Sequence, residues 1–148
     1  MDKITTFSKF NVERSFEQMK ERGWERLYWF IDFHDTIAVA DYGDLTKREF
    51  FPKAKEVLQF LTNKPEICLV LWTCSHRDDI DDMIKWLKKH DITFEYINEN
   101  PECQTTKRMN VESKPYYNVL LDDRSGFNPT SDWYFLRTIL SRIYNVEI

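Results

Sequence analysis

Two segments of the chain, 27–31 (Leu-Tyr-Trp-Phe-Ile) and 67–72 (Ile-Cys-Leu-Val-Leu-Trp), are apolar at every position. Unbroken runs of this length mark strands buried on both faces of a parallel sheet. The first stops at Asp32 and the second at Thr73. A shorter run, Val119-Leu120-Leu121, enters Asp122-Asp123, and a further strand is predicted over 92–97. Elsewhere the apolar positions recur with helical spacing. Val12, Phe16 and Met19 share one face, closed by Gly23. Ala54, Val57, Leu58 and Leu61 follow Pro52, which suits a first turn. Ile80, Met83, Ile84 and Leu87 form a third such face, with Asp78 and Asp79 at its positive end. A last helix is predicted to start near Ser131-Asp132 and to bury Leu136, Ile139, Leu140 and Ile143. Strands alternating with helices predict an α/β fold: a three-layer sandwich around a central parallel, Rossmann-like sheet with right-handed crossovers. No repeat or linker divides the chain. It reads as one domain over 1–148, with a helical extension at 1–23 and a core at 27–143.

Composition narrows the function. The 148 residues are 42% hydrophobic, enough for a sizeable core without disulfides or a structural metal. Lys and Arg number 21 against 25 Asp and Glu, a net charge of -4, so broad polyanion binding is not expected. A mean hydropathy of -0.59 and apolar runs no longer than these exclude a bilayer-spanning helix, and no membrane partner is expected. The start, MDKITTFSKF, has no apolar stretch suited to a signal peptide, which makes the cytoplasm the expected compartment. Cys68, Cys74 and Cys103 form no CxxC pair, and His34, His76 and His90 form no HxxxH pair, so neither disulfide nor zinc chemistry is implied. Cys74 does not begin a Cys-x5-Arg phosphate loop, because position 80 is Ile80.

The polar residues that end the apolar strands carry the chemistry. In open parallel sheets, ligands bind beyond the carboxyl ends of the strands. Asp32, Thr73, Asp122 and Asp123 are therefore expected to converge there from distant positions. Carboxylates gathered in a half-dry site repel one another unless a cation joins them, and an all-oxygen ligand set favours Mg²⁺.

These residues also carry a resemblance. Asp32-Phe33-His34-Asp35-Thr36 after an apolar strand resembles the DxDGT signature of the haloacid dehalogenase superfamily. Leu71-Trp72-Thr73 is similar to its second motif, Lys114 to its third-motif lysine, and Leu121-Asp122-Asp123 to its fourth-motif acidic pair. The resemblance implies a Mg²⁺-dependent phosphomonoester hydrolase. Asp32 would be the nucleophile that forms an aspartyl-phosphate, Thr73 would donate its hydroxyl to the phosphoryl group, and Lys114 would balance its charge, with Lys107 as the substitute. Metal ligands would come from Asp32, from Asp122 or Asp123, and from the backbone carbonyl of His34. Two positions depart from the pattern. His34 stands where the family places its acid/base Asp, a role imidazole can fill, and Asp35 replaces the Gly of a turn that needs unusual dihedrals. A relative that only binds a phosphorylated ligand or a protein partner is the alternative. A receiver-type phosphoacceptor domain ranks below both, since its acidic pair should come first in the chain.

The spacing leaves no room for a full cap domain: 36–67 fits a loop and one helix, and 73–114 little more than one βα unit. Segment 38–51, with Asp41-Tyr42-Gly43-Asp44, is the expected flap over the site. The expected partners are a phosphorylated small molecule or a phosphorylated macromolecular end, with a nucleic-acid end unsupported by net charge and closure by a second subunit conceivable.

Overall fold

Four strands, β1 (Leu27–Ile31), β2 (Ile67–Leu71), β3 (Tyr96–Ile97) and β4 (Val119–Leu121), form one parallel sheet in the spatial order β3-β2-β1-β4 in the computed structural model, which describes residues 9–148. Residues 1–8 of the expected helical extension lie outside the described residues. The register pairs Ile31 with both Leu71 and Leu121. Asp32, Trp72 and Asp122, one residue further along each strand, therefore leave the sheet at the same level. Hydrogen bonds carry the ladder to that edge: Asp32 N–H donates to the Leu121 carbonyl at 2.9 Å, and Trp72 N–H to the Ile31 carbonyl at 2.9 Å.

The helices are α1 (Arg14–Arg22, entered through a π-helical turn Lys9–Glu13), α2 (Ala54–Thr62), α3 (Arg77–Lys89) and α4 (Asp132–Tyr144). Their apolar faces follow the expected periodicity except at Ile143, which is expected in the core but is 36% exposed in the last turn of α4, where Trp133 at the helix start is buried instead. Val57, Leu58 and Leu61 of α2, Ile80, Met83 and Leu87 of α3, and Trp133, Leu136 and Leu140 of α4 join Leu27, Trp29, Ile31, Leu69 and Leu71 in one core. Gly23 ends α1 in the left-handed region, at φ 67°, with its N–H on the Met19 carbonyl. None of the helices is long and apolar enough to cross a membrane, among the described residues.

The other face of the sheet is covered differently. Phe30, Cys68 and Val70 meet Tyr28, Trp72, Tyr96, Tyr117 and Leu120 in a smaller aromatic cluster. Here the third layer is the connection 98–118, with Asn100 Nδ2 bonded to the Tyr116 carbonyl at 2.8 Å and Tyr28 edge-on to Tyr116. Handedness explains this placement. The steps β1 to β2 and β2 to β3 move in one direction and put α2 and α3 on one face. The return from β3 past β2 and β1 to β4 must then run across the opposite face.

One strand is shorter than its apolar pattern predicts. Only Tyr96–Ile97 pairs with β2, because Ile92 belongs to the exit of α3: its N–H caps the Leu87 carbonyl at 3.0 Å. The expected flap is a hairpin. Ala38 bridges Phe50 in antiparallel fashion, and Tyr42 (φ 50°) and Gly43 (φ 87°) turn its tip, with Asp44 N–H on the Asp41 carbonyl at 2.9 Å. Consecutive positive φ values are those of a type I′ turn. This hairpin, a short 3₁₀ turn at Leu45–Lys47 and α2 fill the whole link from β1 to β2, and no cap domain is inserted there.

Candidate functional site

The carboxyl edge of the sheet opens into a cleft of about 600 Å³ lined by Asp32, His34, Thr73, Asp122, Asp123 and Arg124, among others. Asp32, Asp122 and Asp123 each offer a carboxylate oxygen, all within 4.8 Å of one another. The buried Thr36 ties two of them together. Its Oγ1 lies 3.1 Å from Asp32 Oδ2 and 3.2 Å from Asp123 Oδ1, and accepts the Asp123 N–H at 3.0 Å. Asp122 is fixed from the other side. Its Oδ1 accepts the Arg124 N–H at 2.9 Å, capping the 3₁₀ turn Asp123–Ser125.

The electrostatics are those of an uncompensated acidic cluster. Burial, the hydrogen bond shared with Asp123 and the charge of Asp122 push the Asp32 carboxyl up to about 7, with the Thr36 hydroxyl opposing them. Among the described residues, none of the three acids forms an ion pair with a Lys or Arg. The donor set is entirely oxygen, as a hard divalent cation requires. Both Asp122 and Asp123 reach the cluster.

His34 lines the cleft at the base of the hairpin, its Nε2 3.9 Å from Asp41 Oδ2. Asp41 is itself almost fully buried and accepts from Arg48 Nε at 3.0 Å and from the Gly43 N–H at 3.0 Å. Burial pushes the Asp41 carboxyl up, but the Gly43 N–H and the Arg48 guanidinium outweigh it and hold the group below the usual carboxylate range. Arg48 is packed against two rings, 5.3 Å from the centroid of Phe33 and 5.7 Å from that of Trp86. The ion pair thus pins the hairpin over His34. Asp35 adopts φ 60°, as the Gly of the motif would, and its Oδ1 accepts the Ala40 N–H at 3.1 Å. A short polar side chain that bonds its own loop lowers the penalty of the left-handed region.

Thr73 is where the strand pattern places it, at the end of β2. Its hydroxyl donates to Ser75 Oγ at 3.0 Å and accepts the Ser75 N–H at 3.2 Å. Asn98 brackets its backbone, accepting the Thr73 N–H at 2.8 Å and donating to the Thr73 carbonyl at 2.7 Å. Lys114 is the correction. It does not line the cleft, and its ammonium lies 5.5 Å over the ring of Tyr117, in the coil layer behind the sheet. The face of that ring holds the cation by its quadrupole. Lys107 does not line the cleft either.

Sequence reasoning missed several contributors. Thr36, inside the first motif, joins neighbouring Asp32 to Asp123, which lies 87 residues further along the chain from Thr36. Asn98 holds Thr73 from outside the motifs. The pair Asp41 and Arg48 anchors the hairpin, and Arg124 contributes a guanidinium from the turn that carries the acidic pair. The one local signal was the pair Asp122-Asp123, able to cap the turn that follows it, and it marks the turn without marking Arg124.

No protein-family profile matches the chain, and no curated protein does. A solved structure of a conserved protein from Bacteroides thetaiotaomicron is similar, with a TM-score of 0.58 at 23% identity over 81% of this chain and 91% of that one. At that identity the likeness establishes the α/β fold.

Proposed function

We propose that this protein is a capless phosphomonoester hydrolase of the haloacid dehalogenase type, dependent on Mg²⁺. The observation that carries the reading is the meeting of Asp32, Asp122 and Asp123 at the carboxyl edge of a parallel sheet, with the Asp32 pKa raised and, among the described residues, no Lys or Arg ion-paired to the cluster. Asp32 and the acidic pair would hold the ion, together with the backbone carbonyl of His34. When bound, Mg²⁺ supplies charge neutralisation between the nucleophile and the phosphoryl oxygens.

The chain's own residues then divide the work. Ionised Asp32 attacks phosphorus; the new P–O bond to its carboxylate forms as the bond to the leaving oxygen breaks. The protonated imidazole of His34 gives that oxygen its proton. Neutral His34 then takes a proton from the water that attacks the aspartyl-phosphate, which releases phosphate and restores both groups. Thr73 donates its hydroxyl to a phosphoryl oxygen, with its backbone held by Asn98. Asp41 and Arg48 fix the loop from which His34 projects.

The test is phosphate release from p-nitrophenyl phosphate in the presence of Mg²⁺. Turnover should vanish with chelator and with Asp32→Asn, and His34→Ala should lower it by about 10²–10⁴. Saturable binding of phosphate with no turnover in the unaltered protein would replace this reading with that of a phosphoryl-binding relative.

A further inference from the structure

The cleft is rich in acids and poor in cations. Asp32, Asp35, Asp122 and Asp123 line it, and among the described residues Arg124 is the one Lys or Arg that does. One divalent ion does not neutralise that many carboxylates, so a phosphoryl dianion entering the cleft meets residual negative charge. A permanent protein cation within a few ångströms offsets that charge, which His34 does only while it holds its proton. The lysine that sequence similarity assigns to this duty is held over the ring of Tyr117.

We infer that Arg124 is the phosphoryl-binding cation of this site, a catalytic residue in the place the motif pattern gives to Lys114. This rests on the phosphatase reading above. Three features suit Arg124 to the task. It leaves the same turn that carries Asp122 and Asp123, so its backbone is held beside the acids while its exposed side chain is free to reach a ligand. That turn is rigid: Asp122 Oδ1 accepts the Arg124 N–H at 2.9 Å, and Ser125 N–H bonds the Asp122 carbonyl at 2.9 Å. Gly126 closes it at φ 96°, a conformation that costs a glycine little. A guanidinium also presents parallel N–H donors that match two phosphoryl oxygens, which an ammonium does not. Arg124 itself is exposed and makes no ion pair among the described residues, so its charge is available to a ligand.

Two measurements on Arg124→Ala, Arg124→Lys and Lys114→Met test this, with circular dichroism to confirm that each variant is folded. Calorimetric titration with inorganic phosphate in Mg²⁺ reads binding, and p-nitrophenyl phosphate reads turnover. Arg124→Ala should weaken phosphate at least about tenfold and lower kcat/KM by about 10², the scale of one lost transition-state donor. Arg124→Lys should recover part of both, and Lys114→Met should lose less than Arg124→Ala. Equal phosphate affinity in Arg124→Ala and the unaltered protein, or a larger loss in Lys114→Met, overturns the inference. Weakened phosphate binding in Arg124→Ala with no turnover in any form supports Arg124 and defeats only the hydrolase reading. Absence of both binding and turnover in the unaltered protein defeats the two together.

Discussion

Without a divalent cation, Asp32 should make the protein less stable as the solution becomes more alkaline, and the structure sets the size of the effect. Its carboxyl rises from an ordinary 3.8 to about 7, driven first by burial and then by Asp123 and Asp122. Between those two values the folded chain keeps a proton that the unfolded chain has released. The contribution is therefore complete below about pH 4, declines as the pH rises, and is gone above about pH 7. A difference of this size has a ceiling of about 4 kcal/mol at 1.36 kcal/mol per tenfold change. Asp32 keeps solvent contact, and screening reduces the figure to about 1–2 kcal/mol. For a chain of this length that is about 2–8 °C in Tm. Asp41 and Glu102 shift in the opposite sense, so their contributions are lost only as the pH falls below the ordinary carboxylate range. The assay is thermal denaturation in chelator from pH 5 to 8, comparing the unaltered protein with Asp32→Asn. The difference between their Tm values should grow with pH in favour of the variant, and Mg²⁺ at pH 8 should reverse it. A difference that stays constant across the range, or Mg²⁺ that leaves both proteins unmoved, refutes the reasoning.

Thr36→Val removes the hydroxyl that joins Asp32, Asp123 and the Asp123 N–H. It should cost about 1–3 kcal/mol in urea denaturation and weaken Mg²⁺ measured by calorimetry, because a buried N–H loses its acceptor and two ligands lose their spacer. Asp41→Asn breaks a buried ion pair and leaves the Arg48 guanidinium between two rings without its counter-charge. A loss of about 3–5 kcal/mol is expected in the same experiment, and a loss under about 1 kcal/mol would mean that Arg48 is hydrated.

What the sequence made legible follows from what a strand imposes. β1, β2 and β4 are apolar throughout because both of their faces are covered, and their parallel register brings the next residue of each to one edge. Asp32 and Asp122 could be read for that reason, and Thr73 follows one residue beyond that level, after Trp72. Lys114 could not. Its position depends on how 98–118 crosses the second face, and that path is set by Tyr28, Phe30 and Tyr117 packing across the sheet rather than by any period in the segment itself. Arg124 is a single charge in a turn, where neither spacing nor hydrophobicity distinguishes a ligand from a solvated side chain. Asn98 acts through the backbone of another residue, a role with no sequence pattern. The length of β3 was misread because Ile92 and Phe94 are apolar for a different reason, as core residues at the exit of α3.

A second acidic cluster, at the opposite edge of the same sheet, shows why acid density alone does not define a cation site. Cys68, Glu95 and Glu102 lie as close together as the three aspartates do, within 4.8 Å. Arg26, just before β1, sits among them and donates to Glu95 Oε1 at 3.0 Å and to Glu102 Oε2 at 2.8 Å. The hydroxyls of Tyr28 and Tyr96 reach Glu102 at 3.2 and 2.8 Å. Burial raises the Glu102 carboxyl, yet the Tyr96 hydroxyl and Arg26 outweigh it and leave the group below its usual range. Asp32 moves the other way. Among the described residues the amino-edge cluster is ion-paired to Arg26, whereas the three aspartates at the carboxyl edge form no ion pair with a Lys or Arg. A metal at the Glu95 and Glu102 cluster would have to expel the Arg26 guanidinium that already offsets the charge. At the carboxyl-edge cluster it would compete only with the proton whose affinity burial and the neighbouring acids raise on Asp32, so a divalent ion added in solution is expected to favour that cluster over the one around Arg26.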